Sequence, residues 1–103
     1  MSDKTVYTID DIRAAINQTA KDYGIKRMSL FGSYARGEAT ADSDIDFHLI
    51  DPGGLWGYFK LCGLRQALEA CLGLNVDVLT TGAIDKEILE TIKRDEVLIF
   101  EQQ

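Results

Sequence analysis

Three aspartates and one short glycine-serine stretch are the residues of this chain whose spacing could do chemistry. Asp44 and Asp46 stand two apart, Asp77 follows downstream, and Gly32-Ser33 with Arg36 precedes the first pair across a ten-residue gap. On a strand, residues two apart project from one face, separated by about 6.6 Å. Two carboxylates held that way repel each other unless a cation lies between them. Two magnesium ions about 3.5–4 Å apart, each with oxygen ligands near ~2 Å, fit such a pair. Asp77 is the sole charge in the apolar run from Val76 to Leu79, where an unpaired charge is costly. If its strand neighbours that of Asp44 and Asp46, it joins them on one face. Gly32, at the end of an apolar run, lets a ligand approach the backbone because no Cβ intervenes. If Ser33 opens a short helix, its hydroxyl and the free amides beside it converge on phosphate oxygens, and Arg36 adds a positive charge. Glycine-serine pairs are common in plain turns, so the signal lies in the conjunction.

The remaining titratable residues narrow the chemistry further. His48 is the only histidine, so no histidine-rich metal site can be built, and any Ser-His or Cys-His pair would rest on it alone. A metal must then be held by carboxylates, which points to a hard cation such as magnesium. His48 continues the Asp44/Asp46 face one step inward, where a buried, hydrogen-bonded core histidine is expected. Cys62 and Cys71 lie in an apolar stretch without zinc-ligand spacing and are expected to be reduced core thiols. With 11 Lys plus Arg against 17 Asp plus Glu, the net charge is −6 and the pI about 4.6. That balance argues against nucleic acid held by phosphate neutralisation. No run approaches the ~20 apolar residues of a membrane helix, and MSDKTVYTIDD lacks a secretory pattern. A cytoplasmic protein is expected, and 103 residues match one domain over 1–103.

The elements that must position these residues are legible in the apolar spacing. Thr8 and Asp11 form a capping pair ahead of Ile9, Ile12, Ile16 and Ala20, and Tyr23-Gly24 closes that helix. A buried strand is expected over Met28 to Phe31, and a two-faced strand over Asp44 to Ile50. Asp51-Pro52-Gly53-Gly54 is a turn by composition. Leu55 to Leu72 reads as a broad apolar helix with Leu61, Leu64, Leu68 and Leu72 in one stripe, ended by Gly73. A strand at Asn75 to Thr80 follows, then a helix over Asp85 to Lys93 with Ile88, Leu89 and Ile92 inward. Val97 to Phe100 is the last strand. The order predicts an α/β (α+β) sandwich, a small mixed β-sheet flanked by helices.

Gly32-Ser33-Tyr34-Ala35-Arg36-Gly37-Glu38, with Ser43-Asp44-Ile45-Asp46 and Asp77, resembles the signature of the DNA polymerase β nucleotidyltransferase superfamily. More narrowly, the chain resembles the minimal nucleotidyltransferase (MNT) antitoxins paired with HEPN toxins, from the Ile25–Phe31 strand to Glu101. The resemblance implies a polymerase β-like fold, two magnesium ions, ATP as substrate and transfer of AMP. In antitoxins of this kind, a type VII toxin–antitoxin arrangement, the acceptor is a tyrosine of the HEPN ribonuclease, which is thereby silenced. Carried onto this chain, Gly32 and Ser33 hold the triphosphate with Arg36 close by. Asp44 and Asp46 bind both metals, and Asp77 binds the catalytic metal and takes the proton of the attacking hydroxyl. The implied partner is a HEPN-domain toxin in a stable hetero-oligomer.

Other readings compete: transfer to a small-molecule hydroxyl or an RNA end, a binding antitoxin with an idle site, or a structural protein. The acidic balance and the lack of room for a covering domain disfavour the RNA acceptor. Tyr34 and Glu38 carry no assigned role. The Trp56-Gly57-Tyr58-Phe59 cluster is broad for a domain this small, which predicts that one side of its helix meets another protein chain.

Overall fold

The structure, a computed structural model, describes residues 6–50, 57–81 and 85–102. The first helix, α1 (Ile9–Asp22), begins as its capping pair dictates. The Thr8 hydroxyl accepts the Asp11 amide at 3.0 Å, and the Asp11 carboxylate accepts the Thr8 amide at 3.1 Å. Gly24, in the left-handed region at φ 69°, turns the chain into β1 (Arg27–Phe31). There follow α2 (Ser33–Arg36), β2 (Ile45–Ile50), α3 (Tyr58–Leu72), β3 (Val76–Thr80), α4 (Lys86–Asp95) and β4 (Val97–Glu101). The strands order as β3-β2-β1-β4, with β1 antiparallel to both β2 and β4 and β2 parallel to β3. A parallel pair needs a crossover, and α3 supplies it.

Period-two alternation gives the sheet two unlike faces. Met28, Leu30, Phe47 and Leu49 are fully buried in one core with Ile12 and Ile16 of α1 and Leu64 and Leu68 of α3. Ser29 and His48, out of phase with that set, face the opposite side. There Ser29 Oγ donates to Glu96 Oε1 at 2.9 Å, just beyond α4. The α/β architecture and mixed sheet are as the sequence predicts, and no described helix is long and apolar enough to cross a membrane.

The one-turn α2 begins at Ser33, inside the polar stretch after β1. Three expectations change. Ile88 is not inward; it is 49% exposed on α4, where Ile92 alone is buried. Cys71 is exposed and Cys62 only partly covered, because both flank the Leu64-Leu68-Leu72 stripe that meets the core. Cys71 Sγ instead lies 3.2 Å from the Thr19 hydroxyl on the helix surface. Asp77 is exposed too, because β3 is an edge strand, so burial cost is not what marks it. The Asp51-Pro52-Gly53-Gly54 turn, Leu55 and Trp56 lie outside the described residues. Phe59, in the first turn of α3, is 87% exposed.

Candidate active site

The site forms where β1 ends against β2. Phe31 pairs with Asp46 across the antiparallel ladder, so the next residue, Gly32, lies beside the Asp46 side chain. Gly32 has φ 77° and ψ −154°, a conformation essentially restricted to glycine. A Cβ there would stand 2.5 Å from Asp46 Oδ2. Backbone and carboxylate therefore share a space that only glycine permits.

The turn after Gly32 is α2. Its ladder starts with the Arg36 amide donating to the Gly32 carbonyl at 3.1 Å, which leaves the amides ahead of Arg36 outside that ladder. Glu38 closes the turn through its amide to the Ser33 carbonyl at 2.9 Å, with Gly37 left-handed at φ 73°. Tyr34, only 4% exposed, belongs to the core and anchors this turn from below. Arg36 Nε donates to Glu38 Oε1 at 2.7 Å and Nη1 to Asp95 Oδ2 at 3.3 Å. These carboxylates, Glu38 before Asp95, raise the guanidinium above its ordinary value. Glu38 thus gains a role as the partner of Arg36. Asp95 was missed by sequence reasoning, and a partner 59 residues away leaves no local signal.

Asp46 and Asp77 meet as the strand argument requires, whereas Asp44, expected on the same strand two residues before Asp46, lies ahead of it because β2 begins only at Ile45. In the parallel ladder Asp46 is the register partner of Asp77, so the two stand side by side on one face. Asp44 lies one residue ahead of β2 and is exposed. The loop before it is folded by the Thr40 amide donating to the Ser43 hydroxyl at 2.9 Å. The Ile45 amide then ties it to the Asn75 carbonyl at 3.0 Å. Burial, then the charges of Asp77 and Asp44, push the Asp46 carboxyl up to about 6, and Arg36 partly opposes them. His48 is 2% exposed with Nε2 at 3.0 Å from the Thr81 hydroxyl, the buried, hydrogen-bonded histidine expected. Its Nδ1 lies 3.6 Å from Glu96 Oε2.

A raised carboxyl has a consequence for stability. Between its ordinary value of 3.8 and about 6, folded Asp46 holds a proton that the unfolded chain has lost. Its contribution is favourable at lower pH and is lost as pH rises through that window. Asp46→Asn in metal-free protein is expected to raise the melting temperature at pH 7 by about 2–5 °C, the shift of under ~1 kcal/mol in a domain this size. The difference should fade near pH 4. Thermal scans at both values check this, and a lower melting temperature at pH 7 would contradict it.

Among the described residues, no group of three His, Cys, Asp or Glu side chains is already arranged to hold a metal ion. Magnesium is usually held by one or two carboxylates, with substrate phosphates and water completing its shell. The donor set here fits that pattern: hard oxygens only, Asp46 and Asp77 paired, Asp44 beside them, and a turn with spare amides adjacent.

The family described as nucleotidyltransferase domain matches residues 10–99. The protein adenylyltransferase MntA of Thermococcus cleftensis is 33% identical over 96 residues, 89% of this chain and 96% of its own length. A candidate protein adenylyltransferase of Methanocaldococcus jannaschii, MJ1379, is 35% identical over 99 residues, 93% of this chain and 99% of its own. Among solved structures, a candidate minimal nucleotidyltransferase superposes with TM-score 0.74 at 24% identity, covering 90% of this chain and 97% of that one. A tri-AMPylated Shewanella oneidensis HEPN toxin in complex with its MNT antitoxin gives TM-score 0.72 at 17% identity, over 93% of this chain and 75% of that one. A toxin–antitoxin with AMP-PNP gives 0.76 at 20%, over 88% and 74%. At these identities the structural likeness is one of fold. The family match and the relatives similar along nearly their whole length put the chain in the nucleotidyltransferase domain family, as an enzyme.

Proposed function

We propose that this chain is a cytoplasmic, single-domain protein adenylyltransferase and antitoxin. It transfers AMP from ATP to a tyrosine of a HEPN-domain toxin with which it forms a stable complex, as in type VII toxin–antitoxin pairs. The observation that carries the reading is the Asp46–Asp77 register pair set against Gly32, with the Asp46 carboxyl raised. The Thermococcus relative's activity and the AMPylated HEPN toxin in the Shewanella complex support the choice of acceptor.

In the proposed transfer, the tyrosine oxygen bonds to the α-phosphorus as the bond from phosphorus to the bridging oxygen breaks and pyrophosphate leaves. Ser33, the neighbouring amides and Arg36 grip the leaving phosphates. Asp77 accepts the hydroxyl proton, and Asp44, Asp46 and Asp77 would hold two magnesium ions. Bound magnesium supplies charge neutralisation, the main requirement of phosphoryl transfer. Asp77 also borders a cavity of about 180 Å³ beside Leu61, Cys62, Arg65 and Leu79, away from Arg36. The acceptor enters from that side, and exposed Phe59 on the same helix extends the surface the partner covers.

Because two or three carboxylates cannot complete a magnesium shell, ion and nucleotide should bind together. Titration calorimetry is expected to show ATP affinity falling by about tenfold or more in a chelator. Equal affinity with and without magnesium would sink the carboxylate-held ion.

A further inference from the structure

A groove next to the phosphate-binding turn is used by none of the groups assigned so far. It measures about 290 Å³ and runs between the Phe31–Gly32 end of β1 and one face of α4, reaching Arg36. The α4 residues lining it, Ile88, Thr91, Ile92 and Asp95, recur at the spacing of a single helix face. The Thr91 hydroxyl and one Asp95 oxygen are engaged. The Thr91 hydroxyl donates to the Glu87 carbonyl at 3.2 Å, and Asp95 accepts from Arg36 at 3.3 Å. The apolar part of the lining is Phe31, Ile92 and Ile88, which is 49% exposed on a helix otherwise polar outward.

We infer that this groove receives the nucleobase of the nucleoside triphosphate, held by its ring faces against Phe31, Ile88 and Ile92. The inference rests on the reading that the triphosphate lies at Gly32–Arg36, and the groove opens onto those two residues. Its volume is just under the ~300 Å³ at which whole-ligand pockets begin, so it suits a ring system with its polyphosphate outside. Flat aromatic rings gain most from apolar and aromatic walls, which accounts for an isoleucine left uncovered on α4.

The experiment titrates the full chain, in magnesium, with ATP and separately with inorganic tripolyphosphate. Wild type is expected to bind ATP about tenfold tighter or more, the increment of one stacked base. Thr91→Trp, which fills the groove from an exposed position, and Ile88→Ser should each bring ATP to within about threefold of tripolyphosphate, whose own affinity stays unchanged. A melting scan establishes that both variants fold. Equal affinities of wild type for the two ligands, or Thr91→Trp binding ATP as wild type does, overturns the groove while leaving the triphosphate site standing. Failure of wild type to bind either ligand overturns the triphosphate reading and the groove with it.

Discussion

Asp77→Asn is expected to abolish nucleotidyl transfer, by about 10³-fold or more, in a domain that stays folded. Asp77 is exposed on the edge strand β3, so exchanging an oxygen for an amide removes no packing. What it removes is a charge facing Asp46 in the ladder, at the position proposed to hold an ion and take a proton. Electrostatic stabilisation by a well-placed ion is worth several kcal/mol, and each ~1.4 kcal/mol is tenfold in rate. The Asp46 carboxyl should also fall below its present value of about 6, since the neighbouring charge that raises it most is gone. A single-turnover rate and a melting curve on the same sample decide the outcome. Retained transfer, or a fall of many degrees, would make Asp77 a structural residue.

Gly32→Ala should damage stability and activity together. Its φ of 77° with ψ of −154° strains any side chain by about 1–3 kcal/mol. The added Cβ also meets Asp46 Oδ2 at 2.5 Å, so the carboxylate must move or the strand end must open. The melting temperature is expected to drop by about 4–12 °C and transfer by about 10²-fold or more. Gly37→Ala is a milder control. Gly37 is left-handed at φ 73° and ψ 23°, a less restricted conformation than that of Gly32, and a Cβ there meets nothing within 4 Å. It should lose stability through backbone strain and keep most activity. Equal activity losses at the two glycines would mean that strain, and not the Asp46 contact, governs the site.

The sequence carried the elements and the conjunction of Gly32-Ser33, Arg36 and the aspartates, because both leave local traces. The Thr8–Asp11 capping box and the Leu64-Leu68-Leu72 stripe depend on spacing alone, and both stand in the structure. The strand alternation put Asp46 and His48 on one face, and the ladder register then added Asp77. The cost of burial does not mark Asp77, since apolar neighbours do not reveal that a strand is an edge. Ile88 and Cys71 misled in the same way: helical period locates a face but not where its cover ends. The Arg36–Asp95 pair was invisible, because it exists only once α4 lies across the end of β1.

The most direct test of the account is the mass of the partner. The HEPN partner proposed for this chain, incubated with it, magnesium and ATP, is expected to gain one or more AMP units on a tyrosine and lose its ribonuclease activity. With Asp77→Asn it should gain none. An unmodified partner that is nonetheless neutralised by the wild-type chain would contradict catalysis and leave an antitoxin that acts by binding alone.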